Sequence, residues 1–210
     1  YHKSYKDYFN SKMILFNKLM KKNSIMIYDS DEKLSNILKS ISKKNKLRSI
    51  TLGRKKSDLT ITDRKFVGKQ QKISFTFKNN NYCFTTNLIG EIQVKNLLMA
   101  VLAASKKIPM KKIVDSLHKI KSVRGRLEQV GNLKNKSTVI LDYAHSPESL
   151  KTCLINIKNQ FKLSDISLVF GCGGERDKPK RQIMGKIAND LCDKIYLTDD
   201  NPRKENPKKI

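Results

Sequence analysis

Short apolar runs alternate with longer amphipathic stretches in the second half of the chain, and this alternation restricts the possible folds most. The apolar runs cover residues 137–142, 166–170 and 194–198, and amphipathic stretches at 147–160 and 179–191 separate them. Runs of this length predict strands, and the stretches between them predict helices. Strands that alternate with helices form parallel sheets through right-handed crossovers. We therefore predict an α/β fold with a mostly parallel sheet.

The first half of the chain starts with the same alternation. Apolar residues at helical spacing predict a helix over 5–21, followed by a strand at 24–29 and an amphipathic helix at 31–43. Four apolar or alternating runs then predict short strands at 48–53, 59–62, 72–77 and 82–87. The polar segment KNNN (78–81) predicts a hairpin turn and hence a small antiparallel patch. Two further helices are predicted at 91–106 and 109–121.

A linker separates the two halves. The segment SVRGRLEQV (122–130) predicts a connection that runs into a strand, and we place a domain boundary near 123–126. The chain is thus predicted to hold one domain in 1–123 and a second in 124–210. Because Tyr1 is not an initiator methionine, we expect the chain to be an internal fragment.

The charge balance is strongly basic, with a net charge of +25 from 36 lysines and 8 arginines. Such a balance is compatible with binding to nucleic acid. The lysines are scattered, however, and few aromatic residues lie among the basic runs, although base stacking would use them. We expect no nucleic-acid partner. A basic nucleic-acid-binding module stays the alternative from another functional class, and strongly salt-dependent duplex binding would favour it.

The cysteine spacing and the hydropathy of the chain indicate in which cellular compartment the protein is expected. The four cysteines at 83, 153, 172 and 192 form no C-x-x-C pair, which argues against a zinc site or a small disulfide scaffold. The longest apolar stretch, NLLMAVLAA (96–104), is too short to span a bilayer. We expect a reduced, cytoplasmic protein that has no membrane partner.

Each strand predicted in the second half is followed by polar residues. DYAHSPES follows the first strand, GCGGERDKPKR the second and DDNPRKE the third. Ligands of open parallel sheets bind at the carboxyl ends of the strands. The three clusters therefore predict one site at one edge of the sheet.

Three motifs, LDYAHSPESL (141–150), VFGCGGERDKPKRQIMGKIA (169–188) and TDDNPR (198–203), resemble those of the Mur ligases in order and spacing. The resemblance extends to NLIGEIQVKNLLMAVLAA (87–104), RGRLE (124–128) and the opening YHKSYKDYFNSKMILF (1–16). It implies the end of a central ATPase domain followed by the start of a Rossmann-like C-terminal domain. No G-x-x-x-x-G-K-[ST] loop occurs in the chain, so we expect the phosphate cradle upstream of Tyr1 and the fragment alone to be inactive.

The resemblance implies a ligase of peptidoglycan synthesis that uses ATP and Mg²⁺. It would join meso-diaminopimelate to UDP-N-acetylmuramoyl-L-alanyl-D-glutamate through an acyl phosphate, and a monomer is expected. Positive groups are expected around the transferred phosphoryl group. A relative that adds lysine is the alternative within the family.

Lys12 matches the family's lysine that becomes a carbamate and helps to bind Mg²⁺. Carbamylation requires a neutral amine, which a desolvated site favours, and its product is an anion suited to a hard cation. A solvated helix lysine is the alternative. His2 matches a family histidine near the metal and is a weaker candidate.

By the same resemblance, five residues lie near the nucleotide. Gln93 and Asn96 match the amides near the adenine, although Gln93 stands where the family has Asn. A helix-cap region is the alternative for both residues. Arg126 matches the arginine that reaches the phosphates. Asp142 matches a residue at the ribose and His145 one close to it, and a purely structural histidine is the alternative for His145.

The remaining motif residues are expected at the amino-acid substrate. The resemblance places Arg176 at a carboxylate of the incoming amino acid, and Lys178, Lys180 and Arg181 are candidates for structural pairs or phosphate contacts. Cys172 is expected to be a packed thiol.

The segment that contains Asp200, Asn201, Pro202 and Arg203 is expected to bind the distal end of the same substrate. In the family, the arginine pairs with the distal carboxylate of diaminopimelate, which lysine lacks. Five of the eight arginines (124, 126, 176, 181 and 203) lie in these motifs, where bidentate recognition favours arginine over lysine.

Overall fold

The structure, a computed structural model, describes residues 4–210, and the predicted site residue His2 lies outside this range. The chain divides into two compact units. The first contains the residues up to 65 together with 71–86 and 94–120. The second contains 66–70, 87–93 and 121–210.

The first half of the chain forms four helices and five strands. They are α1 (Tyr5–Ile14), β1 (Ile25–Asp29), α2 (Ser35–Lys44), β2 (Arg48–Gly53), β3 (Leu59–Val67), β4 (Gln70–Phe77), β5 (Asn80–Thr86), α3 (Glu91–Ala104) and α4 (Met110–Ser116). A π-helical turn at Leu15–Leu19 continues α1, and a 3₁₀ turn at Leu117–Lys119 continues α4. All the elements predicted for this half are confirmed, with differences at their ends.

The five strands form one sheet in the order β1-β2-β3-β4-β5. β1, β2 and β3 pair in parallel, and β4 and β5 pair antiparallel. The predicted turn between β4 and β5 uses Lys78 and Asn79, both with positive φ (50° and 63°), as a two-residue hairpin turn with right-handed strand twist requires. The predicted antiparallel hairpin of β4 and β5 is therefore part of the same sheet as the parallel strands β1 to β3.

Two hydrophobic clusters hold this unit together. The larger one packs the strands β2 to β5 against α3 and α4, and Leu52, Ile73, Phe75 and Leu98 are among its fully buried side chains. The smaller one contains Met26, Tyr28 and Leu47. Burying side chains of this size contributes about 1.5–3 kcal/mol each, so these clusters account for most of the unit's stability.

The second half forms β6 (Glu128–Asn132), β7 (Thr138–Leu141), α5 (Pro147–Gln160), β8 (Ser167–Phe170), α6 (Pro179–Leu191) and β9 (Lys194–Leu197). Both helices begin and end where the spacing predicts. α5 begins sharply because Ser146 and Ser149 form a capping box and Pro147 occupies the first helical position. Leu150, Leu154, Ile166 and Met184 form the centre of its core.

The sheet of this half differs in part from the prediction. β8 and β9 pair in parallel as expected, but β7 pairs antiparallel with β6 in a separate two-stranded sheet. The physical reason is the tight turn between β6 and β7, in which Leu133 N donates to Ser137 O at 2.8 Å. A turn this short places consecutive strands side by side as a hairpin. Two of the three polar clusters therefore follow paired parallel strands.

None of the helices within residues 4–210 combines the length and the apolar character that crossing a membrane requires.

Candidate functional site

The loops that follow β8 and β9 lie against each other. We call residues 171–178 the glycine loop and residues 198–205 the DNPR loop. Gly174 N donates to Asn201 O at 2.8 Å. A Cβ atom on Gly171 would overlap Thr198 O, and one on Gly174 would overlap Pro202 O. Glycine is required at both positions because the two backbones approach so closely.

Arg203 crosses from the DNPR loop to the glycine loop. Its Nη1 atom donates to Gly174 O at 2.6 Å and to Asn201 O at 3.4 Å. Its backbone has a φ of 52°, a conformation uncommon for non-glycine residues, and its N–H donates to Asn201 Oδ1 at 3.3 Å. The guanidinium group thus binds neutral carbonyl groups on both loops.

The carboxylate of Glu205, in the DNPR loop, binds residues of the glycine loop and of α6. It accepts two hydrogen bonds from Arg181, at 2.7 and 2.9 Å, and one from Glu175 N at 3.0 Å. Lys178 Nζ lies 3.4 Å from its carboxylate. The hydrogen bonds from Arg181, followed by that from Glu175 N, lower the pKa of Glu205 to about 2. The carboxylate is therefore ionised at neutral pH.

The other residues predicted at the amino-acid substrate lie on these loops. Arg176, Asp200 and Asn201 are exposed, and Pro202 is half-buried. A pocket of about 280 Å³ opens between the loops, and its lining includes Asp200, Pro202 and Arg181. The structure thus groups the predicted substrate residues around the ends of β8 and β9.

The cysteines of this unit are packed thiols. Cys172 Sγ lies 4.0 Å from Met184 Sδ. Burial, and to a smaller extent the charge of Asp142 and the proximity of Cys192, raises the pKa of Cys153 to about 12. A thiol with such a pKa stays protonated at neutral pH and is a poor nucleophile.

Three residues predicted at the nucleotide come together around Tyr143. The Arg126 guanidinium lies 5.7 Å from the centroid of the Tyr143 ring, and the His145 ring packs edge-on against it at 5.4 Å. Asp142 accepts a hydrogen bond from Leu127 N at 2.8 Å. This bond ties the carboxyl end of β7 to the turn that carries Arg126.

A further contact links this group to the first turn of α6, because Lys180 Nζ donates to His145 O at 3.0 Å. Gln93 also belongs to this unit, and its side-chain amide donates to Arg126 O at 2.9 Å. Asn96 belongs to the first unit, where it is exposed on α3.

Lys12 lies on α1 in the first unit. Its side chain is exposed, and Nζ is 5.4 Å from the centroid of the Tyr8 ring. The desolvated surroundings that favour a carbamate are therefore not supplied by the described part of this unit. Within residues 4–210, no cluster of three His, Cys, Asp or Glu side chains could hold a metal ion. These residues alone do not form a Mg²⁺ site.

Two families of protein domains match the chain. The Mur ligase middle domain matches residues 1–104, and the glutamate ligase domain of Mur ligases matches residues 125–210. The chain belongs to the Mur ligase family. This membership confirms the resemblance on which the site residues were predicted.

Several curated relatives of this Mur ligase chain carry the name UDP-N-acetylmuramoyl-L-alanyl-D-glutamate--2,6-diaminopimelate ligase. The relative from Rickettsia montanensis is 41% identical over 213 residues, and the match covers 100% of this chain and 43% of the relative. The relative from Chelativorans sp. is 36% identical over 211 residues, with coverage of 100% and 44%. The chain thus spans less than half of the length of the relatives it matches.

Solved structures of Mur ligases share the fold. A structure of UDP-N-acetylmuramoyl-L-alanyl-D-glutamate--2,6-diaminopimelate ligase is 26% identical, with a TM-score of 0.65, over 100% of this chain and 43% of that one. MurF from Acinetobacter baumannii has a TM-score of 0.73 at 17% identity, with coverage of 91% and 42%. At that identity, the likeness to MurF shows the fold alone.

Two residues that lie among the predicted site residues, Glu205 and Tyr143, were not predicted from the sequence. Glu205 ends the segment DDNPRKE, and Tyr143 directly follows Asp142. A signal for Glu205 was present, since it is an acid directly after Arg203 and Lys204 and a candidate partner for the nearby arginines. An exposed aromatic residue at a strand end was the signal for Tyr143.

Proposed function

We propose that this chain is part of an ATP-dependent ligase that joins meso-diaminopimelate to UDP-N-acetylmuramoyl-L-alanyl-D-glutamate in peptidoglycan synthesis. The observation that carries the proposal is the arrangement of the arginines on the two joined loops. Arg181 is bound by Glu205, whereas Arg203 donates to main-chain oxygens. The charge of Arg203 thus stays available to a ligand carboxylate. The name shared by the curated relatives supports the same substrates.

The reaction begins with transfer of the γ-phosphoryl group of ATP to the glutamate carboxylate. The amine of diaminopimelate then attacks the acyl carbon, the tetrahedral intermediate releases phosphate, and the new amide loses the proton of the attacking amine. Arg126 stabilises the negative charge of the phosphoryl group, because a guanidinium group binds phosphate oxygens well. Asp142 and His145 bind the ribose, and Gln93 and Asn96 bind the adenine.

The DNPR loop selects the amino acid. Arg203 pairs with the distal carboxylate of diaminopimelate, and Asp200 and Asn201 bind the polar groups around it. Pro202 fixes the turn, and Arg176 binds another carboxylate of the same substrate. Lysine lacks the distal carboxylate and therefore gains nothing from Arg203.

As a carbamate formed with CO₂, Lys12 would supply an oxygen ligand of the kind that Mg²⁺ prefers. No step assigned to this chain runs through the metal, because the described residues do not form a metal site by themselves. We further propose that the middle domain ends at 123 and the C-terminal domain begins at 124. The full-length protein acts in the cytoplasm as a monomer, without nucleic-acid or membrane partners.

Amino-acid-dependent phosphate release by the full-length protein tests the function. We expect release with UDP-N-acetylmuramoyl-L-alanyl-D-glutamate, ATP and meso-diaminopimelate, and far less with lysine. The chain of residues 1–210 alone should release none, because it contains no phosphate-binding loop of the G-x-x-x-x-G-K-[ST] type. Equal or greater release with lysine would assign the protein to a lysine-adding relative.

A further inference from the structure

A lysine of α3 lies between two carboxylates at the end of β1. Lys95 Nζ is 2.6 Å from Asp29 Oδ2 and 3.8 Å from Asp31 Oδ2. The side chains of Lys95 and Asp29 are only 16% and 7% exposed. Charges removed from water to this extent are tolerated only when they are paired in a defined geometry. The ion pair therefore fixes the position of Lys95 relative to the end of β1.

The acidic residues are in turn fixed to the end of β2. Asp29 Oδ1 accepts a hydrogen bond from Asp31 N at 2.9 Å, and the Asp31 carboxylate accepts one from Arg54 N at 2.9 Å. Ser30 N donates to Leu52 O at 2.7 Å. These bonds join the loops after β1 and β2 into one frame, and Lys95 connects that frame to α3.

The frame lies where ligands of α/β proteins bind. β1 and β2 are parallel, and their carboxyl ends form the edge of the sheet at which open α/β folds place their ligands. On α3, Val94 and Leu98 are buried in the core, whereas Asn96, the residue after Lys95, is exposed. The ion pair at Lys95 therefore holds α3 in one rotation about its axis and one position along that axis, at the residue next to Asn96.

We propose that Lys95 is a positioning residue for the nucleotide. Its ion pair with Asp29 holds the first turns of α3 so that Asn96 presents its amide to the adenine. This inference rests on the proposed function, which assigns Asn96 to that contact. A lysine that only stabilised the fold would affect unfolding and leave nucleotide affinity unchanged.

Nucleotide binding by the full-length protein separates these two roles. The variants are Lys95→Met, the double variant Lys95→Met with Asp29→Asn, and the control Lys106→Met, which alters an exposed lysine beyond the end of α3. The double variant removes both charges, so neither is left buried without a partner. Calorimetric titration with ATP gives the Kd, thermal unfolding gives the Tm, and kinetics give KM and kcat.

We expect Lys95→Met and the double variant to raise the Kd and KM for ATP about tenfold, equivalent to about 1.4 kcal/mol. KM for diaminopimelate should stay the same. The double variant should recover most of the Tm lost in Lys95→Met, and Lys106→Met should match the unaltered protein in all measurements. This pattern would separate positioning from stability.

Two results would overturn the inference while leaving the ligase proposal intact. One is unaltered ATP affinity in Lys95→Met, and the other is a double variant that recovers both Tm and ATP affinity. If the unaltered full-length protein bound no ATP, the proposed function would fail and the inference would fail with it.

Discussion

Each unit contains a pair of parallel strands, β1 and β2 in the first and β8 and β9 in the second. At both pairs, an ion pair and main-chain hydrogen bonds hold the loops after the strands together. After β1 and β2, Lys95 binds Asp29 and the loops are joined by hydrogen bonds. After β8 and β9, Arg181 binds Glu205 and the loops are joined in the same manner. In both cases a cation from a helix forms a mostly buried pair with a carboxylate, which is the last residue of β1 at the first site and lies in the loop after β9 at the second.

The two sites differ in the arginines that their loops contain. The second pair of loops carries two further guanidinium groups, of which Arg176 is exposed and Arg203 binds main-chain oxygens. Internal ion pairs thus hold the loops together at both sites. The loops of the first site contain one arginine, Arg54, whose main-chain N–H binds Asp31, whereas the loops of the second site contain both Arg176 and Arg203. Arg181 is thus bound by a carboxylate of the same chain, whereas Arg203 donates to main-chain oxygens and is the residue to which the proposed function assigns the substrate carboxylate.

The largest effect is expected at a residue outside both frames. Lys12 is exposed, so Lys12→Ala should leave the Tm of the full-length protein unchanged. If Lys12 supplies a carbamate to Mg²⁺, ligase activity should fall on the order of 10³-fold or more, and short carboxylic acids should restore part of it. Lys18→Ala, at another exposed lysine nearby, is the matched control. Unchanged activity in Lys12→Ala would make it an ordinary surface lysine.

A smaller effect is expected when the frame of the second site is weakened. Glu205→Gln keeps the shape of the side chain but removes the charge that holds Arg181 and the glycine loop. Loosening loops that position a substrate should lower kcat/KM for diaminopimelate on the order of 100-fold. Lys178→Gln is the control, because Lys178 is 69% exposed, and it should change kcat/KM by less than about fivefold. Similar losses in the two variants would argue against a specific role for the Glu205–Arg181 pair.

The smallest effect concerns acid stability. The pKa of Glu205 in the folded chain is about 2, below its ordinary value of 4.5, so its stabilising contribution is complete above about pH 4.5. That contribution is lost as the pH falls from about 4.5 to about 2. The difference in Tm between the unaltered protein and Glu205→Gln should therefore shrink over this range. A difference independent of pH would show that the ionised carboxylate is not the cause.

Local patterns in the sequence predicted most of the fold. The bounds of α5 and α6 follow from apolar spacing and from Pro147 and Pro179 at their first positions. The pairing of β6 with β7 was missed because apolar runs indicate strands without specifying their neighbours. A tight turn, rather than the strand–helix alternation, decides that pairing.

Candidate site residues could be predicted from the sequence where they lie in contiguous motifs. Arg181 does bind a carboxylate through two hydrogen bonds, as the preference for arginine suggested, but that carboxylate is Glu205 of the same chain. Substrate binding by the other arginines of the motifs stays a prediction. The pairing of Lys95 with Asp29 joins residues distant in sequence, and no local pattern specifies it. Non-local contacts of this kind depend on the fold and became visible only in the structure.

The most direct test of the account compares Arg203→Ala with the unaltered full-length protein on two amino acids. Losing one side of a desolvated charge pair typically costs about 2–5 kcal/mol, so kcat/KM for meso-diaminopimelate should fall roughly 30- to 5000-fold. The weak activity with lysine should change little, because lysine has no distal carboxylate, and KM for ATP should stay the same. Equal losses with diaminopimelate and lysine would contradict the account, because they would mean that Arg203 serves only to hold Gly174 and Asn201 together.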